Sequence, residues 1–318
     1  MTNALISPTY PSRSAEKIAA AQPPRAGKLN LDHVAHFVPD IDAASAAFEA
    51  LGYTLTPFSA QMQRNEAGEL VSAGAGNRCI MLERGYLECL TPTGDTIIGR
   101  QLSAAIERYT GLHLIAFGSG DAAADYARLG AQQFAPLPTV DLQRSIATVD
   151  GEGTARFSVV RVPPGTMAEG RIQFCQQHTP ELLWQARWTR HRNQAVGLKA
   201  VIVCVENPDE AAQRYARFTG IAATAAADDR MIDTARGRVL LVAPQSVQRV
   251  FRLDAAVMPW IMGSVVASAD MEKTRALIAA SGLPHGMLGA ERLYVVPPPA
   301  VGGVMVFEPR GIAPLSLS

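Results

Sequence analysis

The chain has 318 residues, 48% of them hydrophobic and 18% charged, with 29 basic and 29 acidic side chains. This is too apolar for a disordered protein and enough for a sizeable core, in two domains or one large one. Balanced charge leaves no electrostatic footprint for nucleic acid or an anionic membrane surface, and no apolar run approaches the ~18 residues that span a bilayer.

The opening stretch, "MTNALISPTYPSRSAEKIAAAQPPRAG", lacks the basic start and apolar core of a secretory signal. Residues 1–27 are expected to form a mobile tail, with Pro23 and Pro24 ending any helical turn around Ala15 to Ala20. Cys79, Cys89, Cys175 and Cys204 form no CxxC pair, and each sits in an apolar, strand-like run. Buried free thiols in a cytoplasmic protein are the expectation.

Beyond the tail one unit recurs four times. Its copies are "LDHVAHFVPDIDAASAAFEALGY", "GLHLIAFGSGDAAADYARLGA", "GLKAVIVCVENPDEAAQRYARFTGI" and "IMGSVVASADMEKTRALIAASGL". Each begins with a short apolar run that reads as a buried strand. Asp40, Asp121, Asp209 and Asp270 stand at or near a helix start, where a carboxylate accepts backbone N–H bonds. Gly52, Gly130, Gly220 and Gly282 follow the helix, where a left-handed residue closes it. Each unit then ends on a similar strand: "GYLECLTP", "GRIQFCQQ", "GRVLLVAP" and "GGVMVFEP". A unit is therefore a strand, a helix and about three strands, and four units fill residues 29–310. The polar, basic "RWTRHRNQAVG" divides them into predicted domains at 28–190 and 195–318. Along the first strand, strand alternation puts His33 on one face and His36 on the other.

The repeat, with "LDHVAHFVPDIDAASAAFEALGY", "GNRCIML" and "IQFCQQHTPELLW", resembles the vicinal oxygen chelate superfamily and, more narrowly, bacterial glyoxalase-like proteins. The resemblance implies an α+β fold: four βαβββ modules paired into two glyoxalase-like domains with cupped mixed β-sheets. It also implies a divalent metal in a cup, held by side chains from the first and last strands of each paired unit. Carried over by position, the first strands offer His33, His113, Lys199 and either Met262 or Gly263. The last strands, aligned on their leading glycine, offer Glu88, Gln173, Leu240 and Met305. The N-terminal pair thus has a metal set of His33, Glu88, His113 and Gln173, suited to Fe(II), Mn(II), Zn(II), Ni(II) or Co(II). The C-terminal pair is degenerate. Gln173 departs from the family pattern, which has a carboxylate there.

Asn77 and Arg78 start a strand near the Glu88 strand, and only one of them can face the cup. Asn77 and Arg161 are the candidate substrate contacts, Arg161 through its forked donors. The resemblance implies a metal-dependent enzyme acting on a small oxygen-rich substrate by isomerisation, lyase chemistry or ring cleavage. A metal-bound water, Glu88 or His178 is the candidate base. Two alternatives stand beside it: an Fe(II) extradiol-type dioxygenase, and a metal-free binding or resistance protein. Superfamily members often dimerise, so a homodimer is an expectation.

Overall fold

The computed structural model describes residues 12–64, 67–149, 151–255 and 257–317. After α1 (Ser12–Ala20), the first unit is β1 (Asn30–Phe37), α2 (Ile41–Ala50), β2 (Ser59–Arg64), β3 (Leu70–Met81) and β4 (Tyr86–Pro92). Helix α3 (Ile97–Arg108) leads to β5 (Gly111–Gly118), α4 (Ala122–Ala131), β6 (Val140–Thr148), β7 (Gly151–Arg161) and β8 (Arg171–Gln177). After the single turn α5 (Pro180–Leu183) come β9 (Ala195–Cys204), α6 (Pro208–Thr219), β10 (Ala223–Ala226), β11 (Asp229–Asp233) and β12 (Arg238–Val242). Helix α7 (Pro244–Phe251) precedes β13 (Trp260–Ser268), α8 (Met271–Ala280), β14 (His285–Leu288), β15 (Arg292–Val295) and β16 (Val304–Pro309). The fold is mixed α+β, with the four predicted units in order. Among the described residues, no helix is long and apolar enough to cross a membrane.

The strands form one hydrogen-bonded sheet with two differently shaped halves. The N-terminal strands run β1-β4-β3-β2-β6-β7-β8-β5, and β5 pairs back to β1, so this half closes into a ring of eight. The C-terminal strands run β10-β11-β12-β9-β13-β16-β15-β14, and among the described residues β10 and β14 do not meet. The register pair Leu112 with Ile261 joins the halves, as do the isolated bridges Asn30 with Arg236 and Arg84 with Gly197.

Burial follows strand alternation. Val34, His36 and Val38 turn to the helix-bearing face, where Phe48, Leu129, Tyr215 and Ile278 bring the helices of all four units into one apolar core. Ala35 and Phe37 turn inward with Leu114, Ala116 and Trp184. In the C-terminal half Ile202, Leu240, Met262, Val265 and Val306 form an apolar cluster of their own.

Helix ends largely match their signals. Asp40, Asp121 and Asp270 accept N–H bonds from their helices. In the third unit Pro208 takes the first helical position, so Asn207 is the cap and Asp209 lies inside the first turn. Gly220 closes α6 in the left-handed region, whereas Gly130 lies inside α4 and Gln133 takes the positive φ after it.

The tail reading needs correcting over its second half. Residues 12–20 form α1, and Ala19 is buried. The Gln22 side chain donates to Glu83 O at 2.9 Å and accepts from Gly85 N at 3.2 Å. Those buried amide bonds tie the segment to the β3–β4 turn. Residues 1–11 of the expected tail lie outside the described residues.

One irregularity fixes the register of the repeat. Besides a further skip at Val196 in β9, each first strand carries one unpaired extra residue against its neighbour: Asp32 and His113 between β1 and β5, Lys199 and Met262 between β9 and β13. These are β-bulges, and they occupy the same place in all four units. At each, the bulge carbonyl packs on the glycine before the last strand. A Cβ at Gly85 would lie 2.6 Å from Asp32 O, one at Gly303 2.7 Å from Met262 O, and one at Gly170 closer still to His113 O.

Candidate functional site

The closed N-terminal ring leaves a cavity of about 70 Å³. His33 reaches it from β1, Asn77 from β3, Glu88 from β4, Arg144 from β6, Arg161 from β7, and Arg171 with Gln173 from β8. Leu90, Leu114, Phe157 and Val159 make the apolar part of its wall.

The polar groups form two linked sets. In the first, Asp32, 1% exposed, lies 2.8 Å from His33 Nδ1 and accepts from Gln177 Nε2 at 3.0 Å. Arg236 of the C-terminal half stands 4.0 Å away. An ionised Asp32 fixes the proton on Nδ1 and leaves Nε2 as an acceptor. The His33 ring stacks on Tyr86 with centroids 4.3 Å apart. In the second set, Arg144 donates to Asn77 Oδ1 at 2.8 Å, and Asn77 donates to Glu88 Oε1 at 2.5 Å. Arg161 donates to Gln173 Oε1 at 3.3 Å. Burial and the charge of Arg161 push the Arg171 guanidinium down to about 9, and burial also lowers Arg161. Two partly desolvated cations beside one carboxylate describe a site short of negative charge.

The structure brings His33, Asn77, Glu88, Arg161 and Gln173 to this cavity. Arg78 turns outward to Asp42 at 3.4 Å. It does not bring His113 or His178 there. His113 is the bulge residue, so its counterpart in unit one is Asp32, and the counterpart of His33 is Leu114. The two histidines are offset by one place: both strands bulge at the same position, and His113 occupies the bulge whereas His33 follows it. The His113 ring instead stacks between Tyr109 and Phe37 and lines a neighbouring groove. In the fourth unit the counterpart of Glu88 is Val306, the pair of Val265, rather than Met305, because Gly303 and not Gly302 leads that strand. His178 is exposed on the outer rim, with Nε2 2.7 Å from Ser158 Oγ.

Sequence reasoning missed Asp32, Arg144 and Arg171. Arg171 is two residues before Gln173 on one strand, so alternation alone puts both on one face. Arg144 had no such anchor, since β6 carries no repeat signature.

This donor set does not fit the divalent ion that the resemblance implies. Of the four positions, one is Leu114, which has no donor atom. Glu88 and Gln173 each have an oxygen engaged by Asn77 or Arg161, and three guanidiniums share the cavity with Glu88. A dication would sit among like charges. Among the described residues, no three His, Cys, Asp or Glu side chains are placed to hold a metal.

His36, His113 and His191 have a shared consequence for stability. Each is buried, and burial lowers each to about 4 against its bonds to the carbonyls of Val301, Tyr109 and Met81. The folded state therefore keeps them neutral, while the unfolded chain protonates them near 6.5. Their stabilisation is complete above that value and is lost as pH falls from about 6.5 towards 4. Each contributes at most roughly 3 kcal/mol. Calorimetric Tm is expected to drop steeply across this window, and less steeply for His191→Gln. A flat Tm would contradict it.

A profile of the glyoxalase-like domain matches residues 31–219. No curated protein sequence matches the chain. Among solved structures, a hypothetical protein from Staphylococcus aureus superposes with a TM-score of 0.60 at 14% identity, over 88% of this chain and 99% of that one. A mutant 4-hydroxymandelate synthase from Streptomyces coelicolor gives 0.51 at 12% identity, over 91% and 95%. A fusion of a xylose isomerase-like TIM barrel with 4-hydroxyphenylpyruvate dioxygenase gives 0.53 at 12%, over 93% of this chain and 52% of that one. At such identities the likeness shows the fold alone.

Proposed function

Because the chain belongs to the glyoxalase-like domain family, we propose that its N-terminal cup binds a small oxygen-rich organic anion and acts on it by proton transfer. The observation that carries this reading is the Asp32–His33 pair beside a cavity lined by Arg144, Arg161 and Arg171.

The roles follow from chemistry. A guanidinium meets a carboxylate with two parallel donors, and three of them supply the negative charge's partners without a metal. His33 Nε2 removes a proton from carbon next to the substrate carbonyl. The C–H electron pair moves onto the carbonyl oxygen as an enolate, and the imidazolium so formed is stabilised by Asp32. Returning the proton to the same carbon gives exchange, and returning it to a neighbouring atom gives isomerisation. Glu88, held by Asn77, balances part of the arginine charge and offers an acceptor to a substrate hydroxyl.

The donor set gives no support to the metal-assisted lyase or extradiol dioxygenase that the resemblance implies. A protein that only sequesters its ligand would need the arginines but not an oriented imidazole. Pyruvate in deuterated buffer separates these readings. Its methyl proton signal is expected to decay faster with protein than without, and to do so after chelator treatment. Protein purified without chelator is expected to hold far less than one divalent ion per chain. Absence of both calorimetric binding and exchange would sink the reading.

A further inference from the structure

A second cavity, of about 480 Å³, adjoins the cup between α3 and the loop at residues 162–170. Its walls are mainly apolar, with Phe37, Ile98, Ala105, Pro163 and Met167 among them, and Gln101 and Arg108 add polar groups from α3. Arg161 and Arg171 line both cavities, so the two cations stand at the boundary between them. The Arg171 guanidinium lies 5.6 Å from the Phe37 ring centroid, which sets charge directly beside apolar surface. At the groove, His113 donates from Nε2 to Tyr109 O at 2.7 Å, and its buried Nδ1 has no partner.

The small cup and the large groove ask different things of one molecule. The cup has room for a few heavy atoms beside His33. The groove offers apolar surface that no part of the described chain covers. A carboxylate at the two shared arginines faces both.

We propose that the ligand of the cup is an extended amphipathic carboxylate: its charged group on Arg161 and Arg171, its oxygen-bearing end towards His33, and an aliphatic body in the groove. This rests on the anion-binding reading above. An O–H or N–H on the aliphatic body would satisfy His113 Nδ1.

Calorimetry with butyrate and octanoate tests it. The wild-type protein is expected to bind octanoate at least about tenfold more tightly, since four further methylenes leave water. Ala105→Phe fills the groove and should bring the two affinities within about threefold while butyrate binding stays as it was. Ala168→Trp, at an exposed groove residue, does the same should Ala105→Phe fold poorly. Equal affinities in the wild type, or a preference that survives both variants, overturns the extension and leaves the anion cup standing. Failure of the folded wild type to bind either probe overturns the extension, and failure to bind or exchange pyruvate as well overturns both.

Discussion

His33→Gln is expected to lower the exchange rate of pyruvate by ~10²–10⁴-fold, the usual contribution of a positioned general base. Pyruvate affinity should change by less than about threefold, because the arginines carry binding. Asp32→Asn should lose a comparable amount by a different route. Asp32 holds the proton on His33 Nδ1 at 2.8 Å, and an amide in its place can donate to that nitrogen instead. The imidazole would then carry its proton on Nε2 and be unable to accept one from substrate. The two variants should therefore both lose rate at nearly constant Kd, whereas Arg161→Met should lose affinity first. Full exchange in His33→Gln, measured by proton NMR, would remove the base from the mechanism.

How much of this was legible in the sequence depends on what each residue's position is tied to. The four units could be read because strand, helix cap and closing glycine recur together, and Asp40, Asp121 and Asp270 cap as their spacing implies. Glu88 and Gln173 could be placed because Gly85 and Gly170 mark the start of their strands. Those glycines are fixed by the close carbonyls of Asp32 and His113. His113 could not be placed, because it is itself the bulge residue, and a bulge leaves no compositional mark. Arg144 depends on ring closure, since among the described residues β6 joins β2 through the single pair Met62 and Gln143. That is a long-range pairing between two units, and nothing local to "VDLQRSIAT" announces it.

The largest effect on stability is expected at Glu169. This carboxylate is 0% exposed and takes two donors from Arg214, at 2.8 and 2.7 Å. Glu169 ends the loop before β8 in the N-terminal half, and Arg214 projects from α6 in the C-terminal half, so the pair links the two. Burial works against the Arg214 charge, but its bonds to Glu169 and Glu210 raise its pKa overall. Glu169→Ala removes the buried partner and leaves a guanidinium 15% exposed with Glu210, itself well exposed, as its remaining carboxylate among the described residues. Breaking one side of such a pair costs about 3–5 kcal/mol. For a chain of this size that lowers Tm by on the order of 10 °C. Replacing both partners by methionine avoids the orphaned charge, so the double variant should be more stable than Glu169→Ala alone. Denaturant unfolding of the three proteins measures this. A double variant weaker than the single one would mean that the ion pair itself, and not the avoidance of an unpaired charge, holds the halves together. The same loop carries Met167 and the groove wall, so Glu169→Ala should also weaken octanoate binding more than butyrate binding.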